Sequence, residues 1–215
     1  VQTPIRHAPR DIPADTKPKR QRAVSFKSLL CNVRACDICS SHLAHGTRPV
    51  IQVDRSAKIL IAGQAPGRKV HESGIMFDDK SGDRLRDWMG IENDTFYDAK
   101  KIAILPMGFC YPGTGKSGDL PPRPECAPQW RERLLQQLPN IKLTLVIGQY
   151  AQAYHFPDNP HGNLTETVRA WRDYWPDALP LPHPSPRNNR WLRKNPWFEQ
   201  DVLATLKKST KKILS

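Results

Sequence analysis

Lys58-Ile59-Leu60-Ile61-Ala62-Gly63-Gln64-Ala65-Pro66-Gly67 is the stretch that decides the fold. Its apolar run shows no alternation of polar and apolar positions, so it fits a strand buried on both faces, as in a parallel sheet. Gly63, Pro66 and Gly67 then force a tight turn with exposed backbone N–H groups. Lys101–Leu105 and Lys142–Ile147 repeat the pattern, the latter again stopped by a glycine, Gly148. Ala178–Leu181 reads as a fourth strand, short and interrupted by Pro180.

Helical spacing fills the intervals. Ser25 is expected to cap a first helix carrying Phe26, Leu29, Leu30 and Val33, with Cys31 as a core residue. Ser81 is expected to cap a second, with Leu85, Trp88 and Met89 on one face. A helix from about Pro124 to Leu138 would bury Trp130 and Leu134. Leu164, Val168, Trp171 and Trp175 suggest another, and a last one starts at Pro196 with Phe198, Val202, Leu206 and Ile213 inward. Strands alternating with helices imply an α/β protein: a three-layer α/β/α sandwich around a short, mostly parallel four-stranded sheet. Ligands in such sheets bind beyond the carboxyl ends of the strands. Residues 63–77, 106–110 and 183–190 fall there, while 107–125, rich in Gly and Pro, reads as a functional or clamped loop.

Residues 1–22 hold six Lys/Arg, two Asp and four Pro, and read as a flexible basic tail before one domain over 23–215. The tail has no signal-peptide pattern, so a cytoplasmic location (bacterial cytosol or nucleoid) is expected. No apolar run approaches the roughly 18 residues of a membrane span, and no membrane partner is expected. Across all 215 residues, 33 Lys/Arg against 21 Asp/Glu give a net charge of +12. That balance favours a polyanionic partner, nucleic acid above all.

Five cysteines, in a chain with ample core residues, do not read as disulfide staples. Cys36 and Cys39 form C-x-x-C, and Cys110 and Cys126 follow downstream. This is a metal or cluster pattern. Four thiolates suit zinc and an iron–sulfur cluster alike, and spacing does not separate the two. At the end of the fourth strand, Pro184 and Pro186 stiffen His183-Pro184-Ser185-Pro186-Arg187-Asn188. Arg187, Arg190, Arg193 and Lys194, with Ser185 and Asn188, suit contacts to DNA phosphates.

Taken in order, these motifs resemble the uracil-DNA glycosylase superfamily, most closely its iron–sulfur branch, family four. That branch has a helix into C-x-x-C, then Leu and Arg, here Leu43 and Arg48. Its strand ends in G-E-A-P-G, here Gly63–Gly67, followed by G-x-P-F, here Gly74–Phe77. Its third and fourth cluster cysteines match Cys110 and Cys126, and its H-P-S motif matches His183–Ser185. The longer HPSPRN string is similar to the single-strand-selective uracil glycosylases. The resemblance spans about residues 26–206.

The resemblance implies a monomeric, monofunctional enzyme that flips uracil out of DNA and excises it by hydrolysis in base excision repair. It implies a 4Fe–4S cluster, rather than zinc, on Cys36, Cys39, Cys110 and Cys126. Phe77 would stack on the flipped base, and His183 would hydrogen-bond and stabilise the departing uracil anion. Gly63, Gln64, Ala65, Pro66 and Gly67 would contact the base and the water. The chain departs from the pattern where the family has its catalytic Glu (Gln64), its acidic pair (Val70 and His71), the Pro of G-x-P-F (Met76) and its uracil-reading Asn (Pro106). Gln64 can orient water but cannot act as a base. Uracil reading then falls to His71 or to backbone around Met107–Phe109, or is absent. Two alternatives follow: a glycosylase for other deaminated bases such as hypoxanthine or xanthine, or a damage-binding module with little catalysis.

Overall fold

Four parallel strands form the centre of the protein, a computed structural model that describes residues 25–116 and 118–215. The basic tail expected over residues 1–22 lies outside the described residues. In chain order the elements begin with α1 (Phe26–Arg34), β1 (Ile59–Ala62), α2 (Arg68–Ser73), α3 (Lys80–Met89), α4 (Asn93–Phe96) and β2 (Ile102–Ile104). The hairpin strands β3 (Thr114–Gly115) and β4 (Gly118–Asp119) come next, then α5 (Cys126–Leu135), β5 (Leu143–Ile147) and α6 (Gly148–His155). The chain closes with α7 (Leu164–Arg169), β6 (Ala178–Leu181), α8 (Asn189–Lys194) and, after a π-helical turn over Phe198–Leu203, α9 (Ala204–Leu214).

The sheet order is β2-β1-β5-β6, with Ile59 paired to both Ile102 and Leu143 and with Leu181 beside Ile147. Side chains alternate across the sheet. Ile59, Ile61, Ile104, Leu145 and Leu179 face Leu85, Trp88, Phe198 and Leu206 from α3 and the C-terminal helices. Leu60, Ala103 and Leu105 face Leu29, Val33, Trp130 and Leu134 from α1 and α5. Both faces are therefore covered, which is why the strands are apolar at every position except Thr144, which is only partly buried. Each fully buried Ile or Leu contributes about 1.5–3 kcal/mol. This is the α/β/α architecture the apolar runs called for.

Local boundaries differ in instructive ways. α1 is capped by Ser25, whose side chain accepts from the Ser28 N–H. α3 is capped not by Ser81 but by Asp79, whose carboxylate takes the N–H groups of both Ser81 and Gly82. Ser81 is itself buried in the first turn. Cys31 is exposed rather than in the core: α1 buries Leu29 and Val33, one turn apart, and Cys31 falls on the opposite face. α5 stops at Leu135, though Leu138 is still buried. α7 ends at Arg169 and gives way to a 3-10 turn over Trp171–Asp173. The loop 107–125 carries the β3–β4 hairpin, and the stiff 183–195 segment contains a 3-10 turn and then α8.

Candidate active site

Beyond the carboxyl ends of β1 and β6 lies a cleft of about 430 Å³. Its floor is the turn 63–67, held by two backbone bonds: Met107 N–H to the Gly63 carbonyl at 2.8 Å and Gly108 N–H to the Gln64 carbonyl at 2.9 Å. Gly63, Gln64, Ala65, Pro66, Gly67, Phe77, His183, Ser185, Arg187 and Asn188 all line it. Segments far apart in the chain thus meet beyond the carboxyl ends of the strands.

His183 leaves β6 held on both sides. Ser185 N–H donates to its Nδ1 at 3.2 Å, and Asn188 Nδ2 donates to its carbonyl at 2.7 Å. With Nδ1 accepting, the neutral ring carries its proton on Nε2. Burial lowers the His183 pKa, and the nearby Asp79 and Asp119 carboxylates partly oppose that shift. The ring is a fixed, neutral N–H donor.

Phe77 has φ 56°, a left-handed conformation that costs a bulky residue energy unless its surroundings enforce it. They do so here. Tyr97 Oη donates to the Phe77 carbonyl at 3.3 Å, and the ring packs edge-on against Phe96 with centroids 6.1 Å apart. Gly82 runs so close beneath that a β-carbon there would overlap the Phe77 carbonyl. The result is an aromatic wall set against the turn, with the ring 3.8 Å from where a Gly63 side chain would begin.

Gln64 donates its Nε2 to the Leu120 carbonyl at 3.2 Å, which ties the turn to the hairpin and leaves Oε1 as an acceptor. Two carboxylates that sequence reasoning passed over also line the cleft, Asp79 and Asp119. Neither belongs to a recognisable motif. Asp79 enters as a helix cap, and Asp119 arrives only because the hairpin folds across the site. Pro106 lines the cleft as well, its carbonyl held by buried Arg131 at 3.0 Å.

Other expected contacts lie elsewhere. His71 sits outside the cleft lining, with its ring centroid 5.9 Å from that of Tyr111, because α2 turns Val70 rather than His71 inward. Met107 packs with Ala62, Val146, Ala151 and Phe156 under the turn. Arg190, Arg193 and Lys194 are exposed on α8, beyond the rim that Arg187 occupies.

A family model for the uracil DNA glycosylase superfamily matches residues 50–207. The chain belongs to that superfamily. It is also similar, at 18% identity and a TM-score of 0.43, to a Methanosarcina acetivorans protein provisionally assigned as a uracil DNA glycosylase and solved by solution NMR. That similarity covers 74% of this chain and 94% of the other.

In this superfamily member the C-x-x-C motif precedes the matched region, yet the fold brings it to the other two cysteines. Cys36, Cys39, Cys110 and Cys126 line one chamber with Thr47, Pro49, Phe109 and Trp130. Trp130 Nε1 donates to Cys36 Sγ and Phe109 N–H to Cys126 Sγ, each at 3.3 Å. Burial pushes Cys110 up to about 11 and Cys126 up to about 12, and raises Cys39 as well. A metal group would have to displace those protons. Among the described residues no three Cys, His, Asp or Glu side chains are arranged to hold a single metal ion.

Proposed function

We propose that this protein is a monofunctional DNA glycosylase that excises uracil from DNA. The observation that carries this reading is His183, a neutral N–H donor fixed by Ser185 and facing an aromatic wall across a cleft. Hydrolysis of a glycosidic bond leaves negative charge on the departing base, and a preorganised donor at that charge lowers the barrier most. The flipped base stacks on Phe77, which rewards leaving the duplex. Gln64 Oε1 accepts a hydrogen from the attacking water and orients it. Ser185, Arg187 and Asn188 at the rim grip the flanking phosphates, with the exposed cations of α8 extending the positive surface.

Cys36, Cys39, Cys110 and Cys126 hold a 4Fe–4S cluster in this reading, supported by the shared chamber and the N–H donors to two sulfurs. The cluster staples the segment after α1 to the loop before α5, and base hydrolysis calls for no electron transfer.

A relaxed specificity is favoured by one observation. Pro106 stands in the cleft with no side-chain donor or acceptor, so the base edge meets fewer reading groups there. The deciding experiment is single-turnover excision from single- and double-stranded oligonucleotides containing uracil, hypoxanthine or xanthine. Release of uracil alone supports a uracil enzyme, and release of all three supports the broader one. Binding without release from any of them would overturn the enzymatic reading.

A further inference from the structure

We infer that Asp119, on the hairpin that folds over the cleft, is the carboxylate that activates the hydrolytic water, a role resting on the glycosylase reading above. The turn residue best placed to touch that water is Gln64, and an amide has no proton-accepting power near neutral pH. Two carboxylates line the cleft. Asp79 is engaged, since its Oδ1 accepts the N–H groups of Ser81 and Gly82 at 2.8 and 2.9 Å to cap α3. Asp119 is in none of the ion pairs formed among the described residues.

Its position is built. β4 pairs with β3, Leu120 N–H returns to the Gly113 carbonyl at 2.8 Å, and Gln64 Nε2 holds the Leu120 carbonyl at 3.2 Å. The hairpin and the turn are therefore locked to one another at the residue next to Asp119. Asp119 Oδ2 lies 3.6 Å from where a β-carbon on Gly67 would stand, so the carboxylate rests against the far end of the turn that carries Gln64. The charged and titratable groups around it are His183, Asp79 and Arg187, the last with its guanidinium against Gly118. A water between Gln64 Oε1 and the Asp119 carboxylate has one orienting acceptor and one base. As the C1′–N bond breaks, its electron pair leaves with the base, which His183 stabilises. The water oxygen bonds C1′ and its proton passes to Asp119. Asp119 is exposed in the free protein, and bound DNA would cover it.

The test uses Asp119→Asn, Asp119→Ala and Asp79→Asn in single-turnover excision across pH, beside binding to an oligonucleotide carrying non-cleavable 2′-fluoro-deoxyuridine. Asp119→Asn should excise at least about a hundredfold more slowly, within the usual range for a lost general base. It should also lose the acid limb of the wild-type pH–rate profile while binding the fluorinated DNA normally. Added formate should partly restore Asp119→Ala, a rescue that a merely structural role would not give. Wild-type excision with an unaltered Asp119→Asn, or an acid limb lost only in Asp79→Asn, overturns the assignment and leaves the glycosylase reading standing. A wild-type protein that releases no base overturns both.

Discussion

Ser185 N–H donates to Nδ1 of His183 across 3.2 Å, and that bond decides which edge of the imidazole faces the cleft. A protonated ring would have to give the bond up, so the contact and the buried setting act together to keep His183 neutral. His183→Ala should cut single-turnover excision by roughly a hundred- to thousandfold, the usual cost of one preorganised donor. Affinity for uracil-containing DNA should change much less. Excision at the wild-type rate would remove His183 from the chemistry.

Gly82 and Phe77 form a second dependent pair. A methyl group at 82 meets the Phe77 carbonyl, so Gly82→Ala must push the aromatic wall out of its left-handed conformation. Overpacking of this kind costs about 1–3 kcal/mol, seen as a lower Tm. Phe77→Ala removes the platform with less disturbance of the backbone, and should weaken capture of the flipped base by about 1–3 kcal/mol. Fluorescence of a base analogue at the target position reports capture directly. Equal capture by both variants and wild type would show that Phe77 is only a core residue.

The cysteine chamber makes a prediction that needs no catalysis. Purified protein should be brown and contain iron and acid-labile sulfide in equal amounts. Cys126→Ser should lose both and should melt at lower temperature, because Cys126 links α5 to the loop at Phe109. Colourless protein holding one zinc per chain would replace the cluster with a single ion.

His155 gives a pH dependence with a definite sign. Burial, and then the Arg131 charge, lower its pKa from 6.5 to about 4. Its Nε2 accepts from Arg131 Nη2 at 2.8 Å, an interaction open only to the neutral ring. Between those two pH values the unfolded chain binds a proton that the folded protein refuses, so stability is complete above pH 6.5 and falls as pH drops toward 4. A gap of that size is worth about 3 kcal/mol. Chemical denaturation at pH 7 and pH 4.5 should show the loss. In His155→Gln, which keeps an acceptor for Arg131 but does not titrate, the difference between the two pH values should shrink.

The architecture was legible in the chain because burial on both faces of a strand leaves a mark that needs no partner to read. Ile59–Ala62, Ile102–Ile104 and Leu143–Ile147 are apolar at every position, or nearly so, and each ends where a turn must begin. The turn at Gly63–Gly67 and the stiff His183 segment were legible for a similar reason: glycine opens backbone conformations that other residues avoid and proline fixes φ, and both effects are local whatever surrounds them. Cap positions were less so, since Asp79 and Ser81 are both good caps and only the packing of α3 chooses between them. Cys31 read as core because composition ignores which way a helix faces. Asp119 could not be read at all. A single carboxylate in a Gly- and Pro-rich loop has no periodicity and no motif, and it reaches the cleft only through the hairpin pairing and the Gln64–Leu120 bond. The sequence by itself determined the sheet, its turns and the residue types available for chemistry, because these depend on neighbours along the chain. Tertiary structure alone decided that Asp119 joins the cleft and His71 does not, because those placements depend on contacts between segments far apart in sequence.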